Sequence, residues 1–365
     1  MEEYISFDSH KRYTLMEREK KGTGQTKQRR VEHRPGAIRE CLEGIAKGTA
    51  VAVEATGNWS WIVNEIEQAG MSPRLVHPRK AKLMMGMVNK TDKLDVHGLN
   101  VLQRNGTLPT VWIPPAELRD LRELTRGRMA ISAHRTRLKN RIHSAINRHG
   151  LVAPGCSDLF GQGGRAALVE LSDQLPPEAA MMVRMHLISL ELAEGQMLQI
   201  ERRLAERLTE TEAMKLLQTL PGVGPILGAV IALEIGDVER FPSAEHLAAY
   251  AGTVPRVHAS GDKTRYGPLR NDINHYLRWA FVEAANADSI HHLRHPERHV
   301  SRLYRRLRSH KGHAKAIGAV ARHLAESAWH VLNRKEPYRD PGLKGGVARG
   351  APARRPPEGV YSSTD

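Results

Sequence analysis

The sequence has few cysteines, the residues that build disulfide frameworks and many zinc sites, and it has no long apolar run. Its 365 residues include two cysteines, Cys41 and Cys156, which lie far apart and outside any metal-ligand spacing. Isolated cysteines of this kind are typical of reduced thiols in the cytoplasm. No apolar stretch reaches the length of a bilayer, and the first residues lack the basic and apolar segments of a secretory signal. We therefore expect a cytoplasmic protein without a membrane segment.

Aromatic residues and acidic charge are also scarce. Aromatic residues make up 5% of the chain and hydrophobic residues 40%, so a sizeable core must be built from aliphatic side chains. Lys and Arg number 55 against 40 Asp and Glu, which gives a formal net charge of +15. Such an excess attracts polyanions, of which nucleic acid is the commonest. The composition therefore indicates a protein that binds nucleic acid.

Residues 1–114 alternate short β-like patterns with helical ones. The run 49–53 is apolar and partly β-branched, which is typical of a buried strand. The other predicted strands lie near residues 4–7, 12–16 and 75–76, the first two as antiparallel neighbours, and helices are predicted over 36–45, over 59–68, and from near 78 and near 92. A mixed sheet flanked by helices is the expected α/β architecture of this N-terminal domain.

From residue 115 the pattern changes to long helices. Residues 119–148 carry nine Lys or Arg against two acids, and residues 150–177 are expected to form a loop rich in Gly and Pro. A second long helix has apolar residues at the steps of three and four that coiled coils show, namely Leu190, Ala193, Met197, Ile200, Leu204 and Leu208. Antiparallel packing within the chain and dimerisation through a coiled coil both explain this spacing. We assign residues 115–215 to this helical region.

Residues 216–338 are predicted to form a mostly α-helical C-terminal domain. Its last helix places one set of apolar residues on a single face, namely Ile317, Val320, Ala321, Leu324, Ala328 and Val331. Residues 339–365 are rich in Gly, Pro, Arg and Ser, and we predict that they are disordered.

Four acids of the N-terminal domain stand out by their positions. Asp8 ends the first predicted strand and Glu54 ends the buried run, while Asp92 and Asp95 share one face of a helix that they open. Taken singly, each acid has a simpler explanation, as a turn residue or as a favourable charge at a helix N-terminus. Together they would gather four oxygen donors, which are the ligands that Mg²⁺ prefers. Two such ions can support phosphodiester cleavage.

Two glycine-containing segments mark the C-terminal domain. Gly222 and Gly224 lie between helical stretches, where exposed amides at a helix N-terminus suit a DNA phosphate, as in helix-hairpin-helix modules. A tight interhelical turn without a ligand is the alternative explanation. Ser260 precedes Gly261 in a predicted polar loop, although a lone Ala-Ser-Gly tripeptide carries little information.

These motifs, in this order, resemble the insertion sequence 110 family of transposases. The segments that carry the resemblance are Asp8-Ser9-His10-Lys11, Glu54-Ala55-Thr56-Gly57, Lys90-Thr91-Asp92-Lys93-Leu94-Asp95 and residues 220–285. In that family the N-terminal domain is similar to RuvC, a Holliday-junction resolvase with an RNase H-like fold. The resemblance implies Mg²⁺ ligation by Asp8, Glu54, Asp92 and Asp95, and it places the family's nucleophilic serine at Ser260.

The resemblance also implies a bacterial, nucleoid-associated enzyme that cuts and rejoins DNA strands. Its expected partners are the element ends and target DNA, a non-coding bridge RNA, and further copies of the chain in a dimer or tetramer. A serine that attacks a phosphodiester holds a DNA end covalently and conserves the bond energy for rejoining. The cations expected to contact the phosphate are Arg256, Lys263, Arg265, Arg270 and Arg278.

Two other functions remain open from the sequence. A RuvC-like, structure-specific nuclease without strand transfer would need the four acids and not Ser260. A non-enzymatic nucleic-acid-binding protein would keep the fold and the charge without the chemistry. The presence of all four acids and the serine disfavours the second alternative.

Overall fold

The computed structural model of the chain describes residues 3–86, 91–153, 155–156, 158–261, 263–270 and 272–341. The chain divides into two compact units, the first ending at Ala116 and the second beginning at Glu117. Among the described residues, strands form a five-stranded sheet in the first unit and a two-stranded sheet in the second. None of the described helices combines the length and the apolar character that a bilayer crossing requires.

The five-stranded sheet comprises β1 (Glu3–Ser9), β2 (Tyr13–Lys20), β3 (Thr26–Glu32), β4 (Ala50–Glu54) and β5 (Ser72–Val76). Its strand order is β3-β2-β1-β4-β5. The first three strands form an antiparallel meander, and β4 and β5 run parallel to β1. The prediction missed β3, because every residue of this strand except Val31 is polar and exposed. Its strand conformation comes from pairing with β2.

Helices cover both faces of this sheet, namely α1 (Ala37–Cys41), α2 (Trp59–Gln68), α3 (Pro78–Met85) and α4 (Asp92–Arg104). Val51 and Val53 of β4 pack with α1 and α2, whereas Ala52 between them packs with α3 and α4. This alternation is what a strand buried on both faces requires. The helix predicted over 36–45 is shorter than expected: α1 ends at Cys41, and Gly44 has a φ of 75° that an α-helix does not accept.

The second unit begins with three helices, α5 (Ala116–Arg148), α6 (Gln162–Ser172) and α7 (Pro177–Arg207). The helices α5 and α7 are antiparallel, since Arg128 contacts Glu201 near one end and Ile142 shares a buried cluster with Leu187 near the other. Several of the positions singled out in α7 are buried against the chain itself, namely Leu190, Ala193, Met197 and Leu204. At these positions the structure favours packing within the chain. The predicted loop 150–177 contains α6, which the prediction missed.

The rest of the second unit is mostly helical, as predicted. Its helices are α8 (Glu212–Leu217), α9 (Pro225–Ile235), α10 (Ala244–Tyr250), α11 (His275–Ile290), α12 (His299–Lys311) and α13 (His313–Arg334). All six apolar residues predicted on one face of α13 are buried in the core of this unit. The strands β6 (Pro255–Ser260) and β7 (Lys263–Leu269) add an antiparallel hairpin that the prediction missed.

The chain remains part of this core just beyond α13. Tyr338 is buried, and its backbone N–H donates to the Thr219 hydroxyl at 2.8 Å. The buried Asp340 accepts two hydrogen bonds from the backbone N–H of His299 at the start of α12. Within the predicted disordered tail 339–365, Asp340 therefore has defined contacts, and residues 342–365 lie outside the described residues.

Candidate active site

The four predicted acids come together at one edge of the sheet. Phe7 of β1 pairs with Val53 of β4, so the next residues along these parallel strands, Asp8 and Glu54, lie side by side. The first turn of α4 supplies Asp92 and Asp95. All four acids line one cavity of about 490 Å³. The convergence expected from the sequence is therefore present in the structure.

Two further side chains contact these acids, and the sequence prediction did not assign them. The Nε2 atom of His10 lies 3.2 Å from Oδ2 of Asp8 and 3.2 Å from Oδ2 of Asp92. The Tyr13 hydroxyl donates a 2.7 Å hydrogen bond to Oδ2 of Asp92. The sequence did indicate that His10 could lie near the acids, because it follows Asp8 by two residues within the same motif. Tyr13, at the start of β2, had no such signal.

Burial and nearby negative charge disfavour the ionised form of Asp8. Asp8 is 5% exposed. Burial raises the pKa of Asp8, and the nearby charges of Asp95 and Asp92 raise it further, while His10 opposes the shift. The Oδ2 atom of Asp8 and the Nε2 atom of His10 are both buried, and neither has a hydrogen-bond partner of acceptable geometry among the described residues. Buried polar atoms left in this state suit a bound cation.

Basic side chains line the same cavity as the acids. Arg79 and Lys82 belong to α3 and face the cavity together with Thr56. The loop that carries His10 is fixed by Asn58, whose side-chain NH₂ donates to the His10 carbonyl oxygen at 2.9 Å. An acidic cavity with cations on its wall can hold a metal ion and attract a phosphate group.

In the second unit, the two glycines of the predicted phosphate-binding turn have different surroundings. Gly222 has a φ of 76°, and a Cβ atom there would lie 2.1 Å from the Ala284 carbonyl oxygen of α11. Close packing against α11 therefore explains Gly222 without a ligand. Gly224 is exposed at the N-cap of α9, and a Cβ atom there would meet nothing within 4 Å. Of these two glycines, Gly224 is the one that stands at a helix terminus open to a phosphate.

Ser260 is exposed, but the structure corrects its predicted surroundings. It is the last residue of β6 and pairs with Lys263 across the end of the hairpin, rather than lying in a loop. Gly261 follows with a φ of 58°, which turns the chain. Arg265 is also exposed on the hairpin, whereas Arg256 is half-buried. The hairpin thus presents a serine hydroxyl among basic side chains.

The two remaining predicted cations lie beyond the hairpin. Arg270 forms a bidentate ion pair with Asp272, with donor–acceptor distances of 3.1 and 2.7 Å. This ion pair raises the pKa of Arg270 and neutralises much of its charge. Arg278 is half-buried in α11. Arg270 is therefore less available to a phosphate than Lys263 and Arg265 of the hairpin.

Comparisons with known proteins match both halves of the chain. A transposase family model for the DEDD domain of the IS110 group matches residues 8–150, and a model described as "Transposase IS116/IS110/IS902 family" matches residues 214–301. The chain belongs to the IS110 family of transposases. The first match begins at Asp8 and spans all four acids, and the second spans Gly222, Gly224 and Ser260. Membership makes the protein an enzyme that cuts and transfers DNA strands.

Curated relatives agree with this assignment. A probable family 20 transposase from Pseudomonas aeruginosa is 26% identical over 79% of this transposase and 85% of its own length. The transposase of insertion sequence element IS1111A from Coxiella burnetii is 24% identical over 79% of each chain. The transposase of IS1328 from Yersinia enterocolitica is 26% identical over 78% of this chain and 84% of its own. The five-stranded mixed sheet and the DEDD domain are consistent with an RNase H-like fold.

A buried carboxylate supports the region around the hairpin of this transposase, and the sequence prediction missed it. Glu234 of α9 is fully buried and accepts two hydrogen bonds from Arg126 of α5, at 2.7 and 3.0 Å. The Asn274 side chain donates to the same carboxylate at 2.8 Å, and its own oxygen caps α11 by accepting from two backbone N–H groups. One acid thus ties together three helices. A glutamate inside the apolar run of α9 was the available signal.

We expect Asp8→Asn to raise the melting temperature of the metal-free transposase by a few degrees at neutral pH. The folded-state pKa of Asp8 lies above its ordinary value of 3.8, so the ionised carboxylate destabilises the fold at neutral pH. The neutral amide removes that cost. The gain should shrink as the pH falls toward 3.8, because a growing fraction of Asp8 is then protonated in the unfolded state as well as in the folded state.

Calorimetry in the presence of EDTA at pH 7 and at pH 4 measures this difference. The exposed Glu43→Gln in the same unit is the matched control, and it should give no gain at either pH. A lower melting temperature for Asp8→Asn than for the parent at pH 7 would contradict the electrostatic description of the cavity.

Proposed function

We propose that this protein is the transposase of a bacterial insertion sequence that cuts and rejoins DNA strands by Mg²⁺-dependent chemistry with Ser260 as the nucleophile. The observation that carries the proposal is the convergence of four acids on one cavity, in a chain that two transposase family models match in order. The substrates are the element ends and the target DNA. In this proposal, the acidic cavity and the Ser260 hydroxyl take part in the same strand-exchange reaction.

The residues proposed to hold Mg²⁺ are Asp8, Glu54, Asp92 and Asp95. The fit is supported by their oxygen donors and by the buried Oδ2 atom of Asp8, which lacks a hydrogen-bond partner among the described residues. Bound there, the ion supplies charge neutralisation and oxygen activation at the phosphodiester. Arg79 and Lys82 on the cavity wall attract the DNA backbone toward the acids, whose own charge would otherwise repel it.

The proposed strand exchange uses the Ser260 hydroxyl at the exposed end of the hairpin. The Oγ atom forms a bond to phosphorus, a P–O bond of the DNA strand breaks, and the released deoxyribose oxygen takes up the proton that the hydroxyl loses. Attack by the hydroxyl of a second strand end then restores the serine and joins the strands. Charge on the phosphate is balanced by the cations Arg256, Lys263, Arg265, Arg270 and Arg278, of which Lys263 and Arg265 lie exposed on the hairpin with Ser260.

We assign a DNA phosphate to the N-terminus of α9. Of the two glycines that the sequence offered for this contact, Gly222 and Gly224, each is proposed to have a different role. Gly224 exposes the helix N-terminus, where backbone N–H groups and the helix dipole favour an anion. Gly222 allows the close contact with α11 that holds this turn in place.

A bridge RNA is proposed to bind the second half of α5. Arginines of the first half are engaged within the protein, as Arg126 is with Glu234 and Arg128 with Glu201. Arg137, Arg141 and Arg148 of the second half are exposed, and they supply the charge that an RNA backbone requires. Sequencing the RNA that copurifies with the protein tests this proposal. Active protein that carries no discrete, element-derived RNA would contradict it.

A second copy of the chain is proposed to cover the outer face of α7, in a dimer or tetramer. This face lies opposite the side of α7 that packs on α5, and its exposed apolar residues are spaced by four, three and four positions: Met181 (53% exposed), Met185 (48%), Ile188 (62%) and Leu192 (64%). Arg184, which also contacts Asp173, and Glu191 flank this stripe seven residues apart. An antiparallel second α7 would place each beside the opposite charge.

We expect Leu192→Glu to reduce the molecular mass of the protein in solution, because a charge in the apolar stripe opposes its burial. Light scattering during size-exclusion chromatography measures the mass. The control is Leu198→Glu, since Leu198 is 49% exposed on the same helix and lies to one side of the stripe. Equal masses for the parent and Leu192→Glu would exclude an interface on this face.

We expect Ser260→Ala to lose the covalent protein–DNA adduct and the joined product by roughly 10³-fold or more, because no other group replaces the nucleophile. Labelled element-end DNA with Mg²⁺, analysed on denaturing gels, measures both products. Ser309→Ala, at an exposed serine of the same unit, is the control and should retain them. An adduct that persists in Ser260→Ala assigns the nucleophile elsewhere. Cleavage that needs Asp8 but not Ser260 is the outcome that the nuclease alternative requires.

A further inference from the structure

His10 lies in the acidic cavity with a ring nitrogen that no hydrogen bond to a described residue satisfies. Its Nε2 atom lies 3.2 Å from one oxygen of Asp8 and 3.2 Å from one oxygen of Asp92. Despite this short distance, Nε2 and the Asp8 oxygen form no hydrogen bond of acceptable geometry, and both atoms are buried. One donor atom from each of the three residues falls within 4.8 Å of the others, as in a metal site.

The imidazole ring is held in this position by contacts on several sides. The His10 backbone N–H donates to the Tyr13 carbonyl oxygen at 2.9 Å, and the His10 carbonyl accepts from Asn58 at 2.9 Å. The ring lies against the Tyr13 ring, with centroids 4.6 Å apart. The guanidinium of Arg30 covers Tyr13 at 3.8 Å from the ring centroid. The side chain is thus oriented before any ligand arrives, as in a built metal site.

We infer that His10 is a direct ligand, through Nε2, of the divalent cation in the acidic cavity, and that this nitrogen makes the site prefer Mn²⁺ to Mg²⁺. The inference rests on the proposed cation site and adds a ligand and a selectivity to it. Mg²⁺ favours oxygen donors in a strict octahedral arrangement. Imidazole nitrogen raises the affinity for first-row transition metals, of which Mn²⁺ also accepts carboxylate. A site built of carboxylates alone would show a weaker preference for Mn²⁺.

A different role for His10 is compatible with the same distances. The ring could serve only as a counter-charge to Asp8 and Asp92 in the metal-free protein and stay outside the coordination shell of the cation. Under that role, substitution of His10 would change the stability of the metal-free protein without placing a nitrogen on the metal. Direct detection of the ligand atom therefore separates the two roles.

The test is pulsed electron paramagnetic resonance of Mn²⁺ bound to the full-length protein without DNA. We expect ¹⁴N modulation from one imidazole in the parent protein and its loss in His10→Gln. Mn²⁺ affinity, measured by calorimetric titration, should fall by about tenfold or more in that variant, and Mg²⁺ affinity by less. His33→Gln is the matched control, because His33 bonds to Thr14 rather than to the acids and should leave the spectrum unchanged.

The outcomes distinguish this inference from the proposed function. If Mn²⁺ binds in an Asp8-dependent manner with no ¹⁴N modulation in the parent protein, His10 is not a ligand and only the inference fails. If Mn²⁺ and Mg²⁺ binding do not depend on Asp8, the cation site itself fails. The parent spectrum decides the first point even if His10→Gln folds poorly.

Discussion

The crowding of carboxylates at the ends of two adjacent parallel strands is the constraint on which the first unit depends. Burial raises the pKa of Asp8, and the negative charges of Asp95 and Asp92 beside it raise that pKa further, so they repel the ionised Asp8 carboxylate. The repulsion tends to drive α4 away from the sheet. The contacts that hold α4 in place must therefore outweigh it whenever no cation is bound.

Several buried contacts do this on the side of α4 away from the cavity. The Ser6 hydroxyl of β1 donates to the Val96 carbonyl oxygen at 2.8 Å. Glu17 of β2 is fully buried and bonds to His97 at 2.9 Å and Asn100 at 3.0 Å. Further along the helix, Arg104 donates to Glu19 at 2.8 Å. These contacts fix the first turn of α4 at the cavity, so the acids are arranged before a ligand binds.

The sequence predicted those parts of the fold that depend on local pattern. The helix over residues 59–68 was found from its apolar periodicity, and the strand ending at Glu54 was found from its continuous apolar run. The strand β3 was missed because its conformation comes from pairing with β2 rather than from its own polar residues. The hairpin that carries Ser260 was missed as well, because its strands are short and each contains a proline, which is typical of turns and strand edges rather than of strand interiors.

The residues of the candidate site also fall into those that the sequence predicted and those that only the folded chain reveals. The acids were identified because they occur as ordered motifs at the ends of predicted elements. Tyr13 reaches Asp92 across 79 residues of sequence, and Arg126 reaches Glu234 across 108, so only the folded chain reveals these contacts. His10 lay inside a recognised motif, but its proximity to Asp92 depends on how α4 docks against the sheet.

The measurement that tests the central claim most directly is the mapping of the cation by Fe²⁺ substituted for Mg²⁺. With ascorbate and peroxide, the bound iron generates hydroxyl radicals that cut the polypeptide beside it. The described geometry predicts cuts next to Asp8, next to Glu54 and in the first turn of α4, all of them absent in Asp8→Asn. Uniform cutting, or cuts that spare these three segments, would contradict a cation site in the acidic cavity.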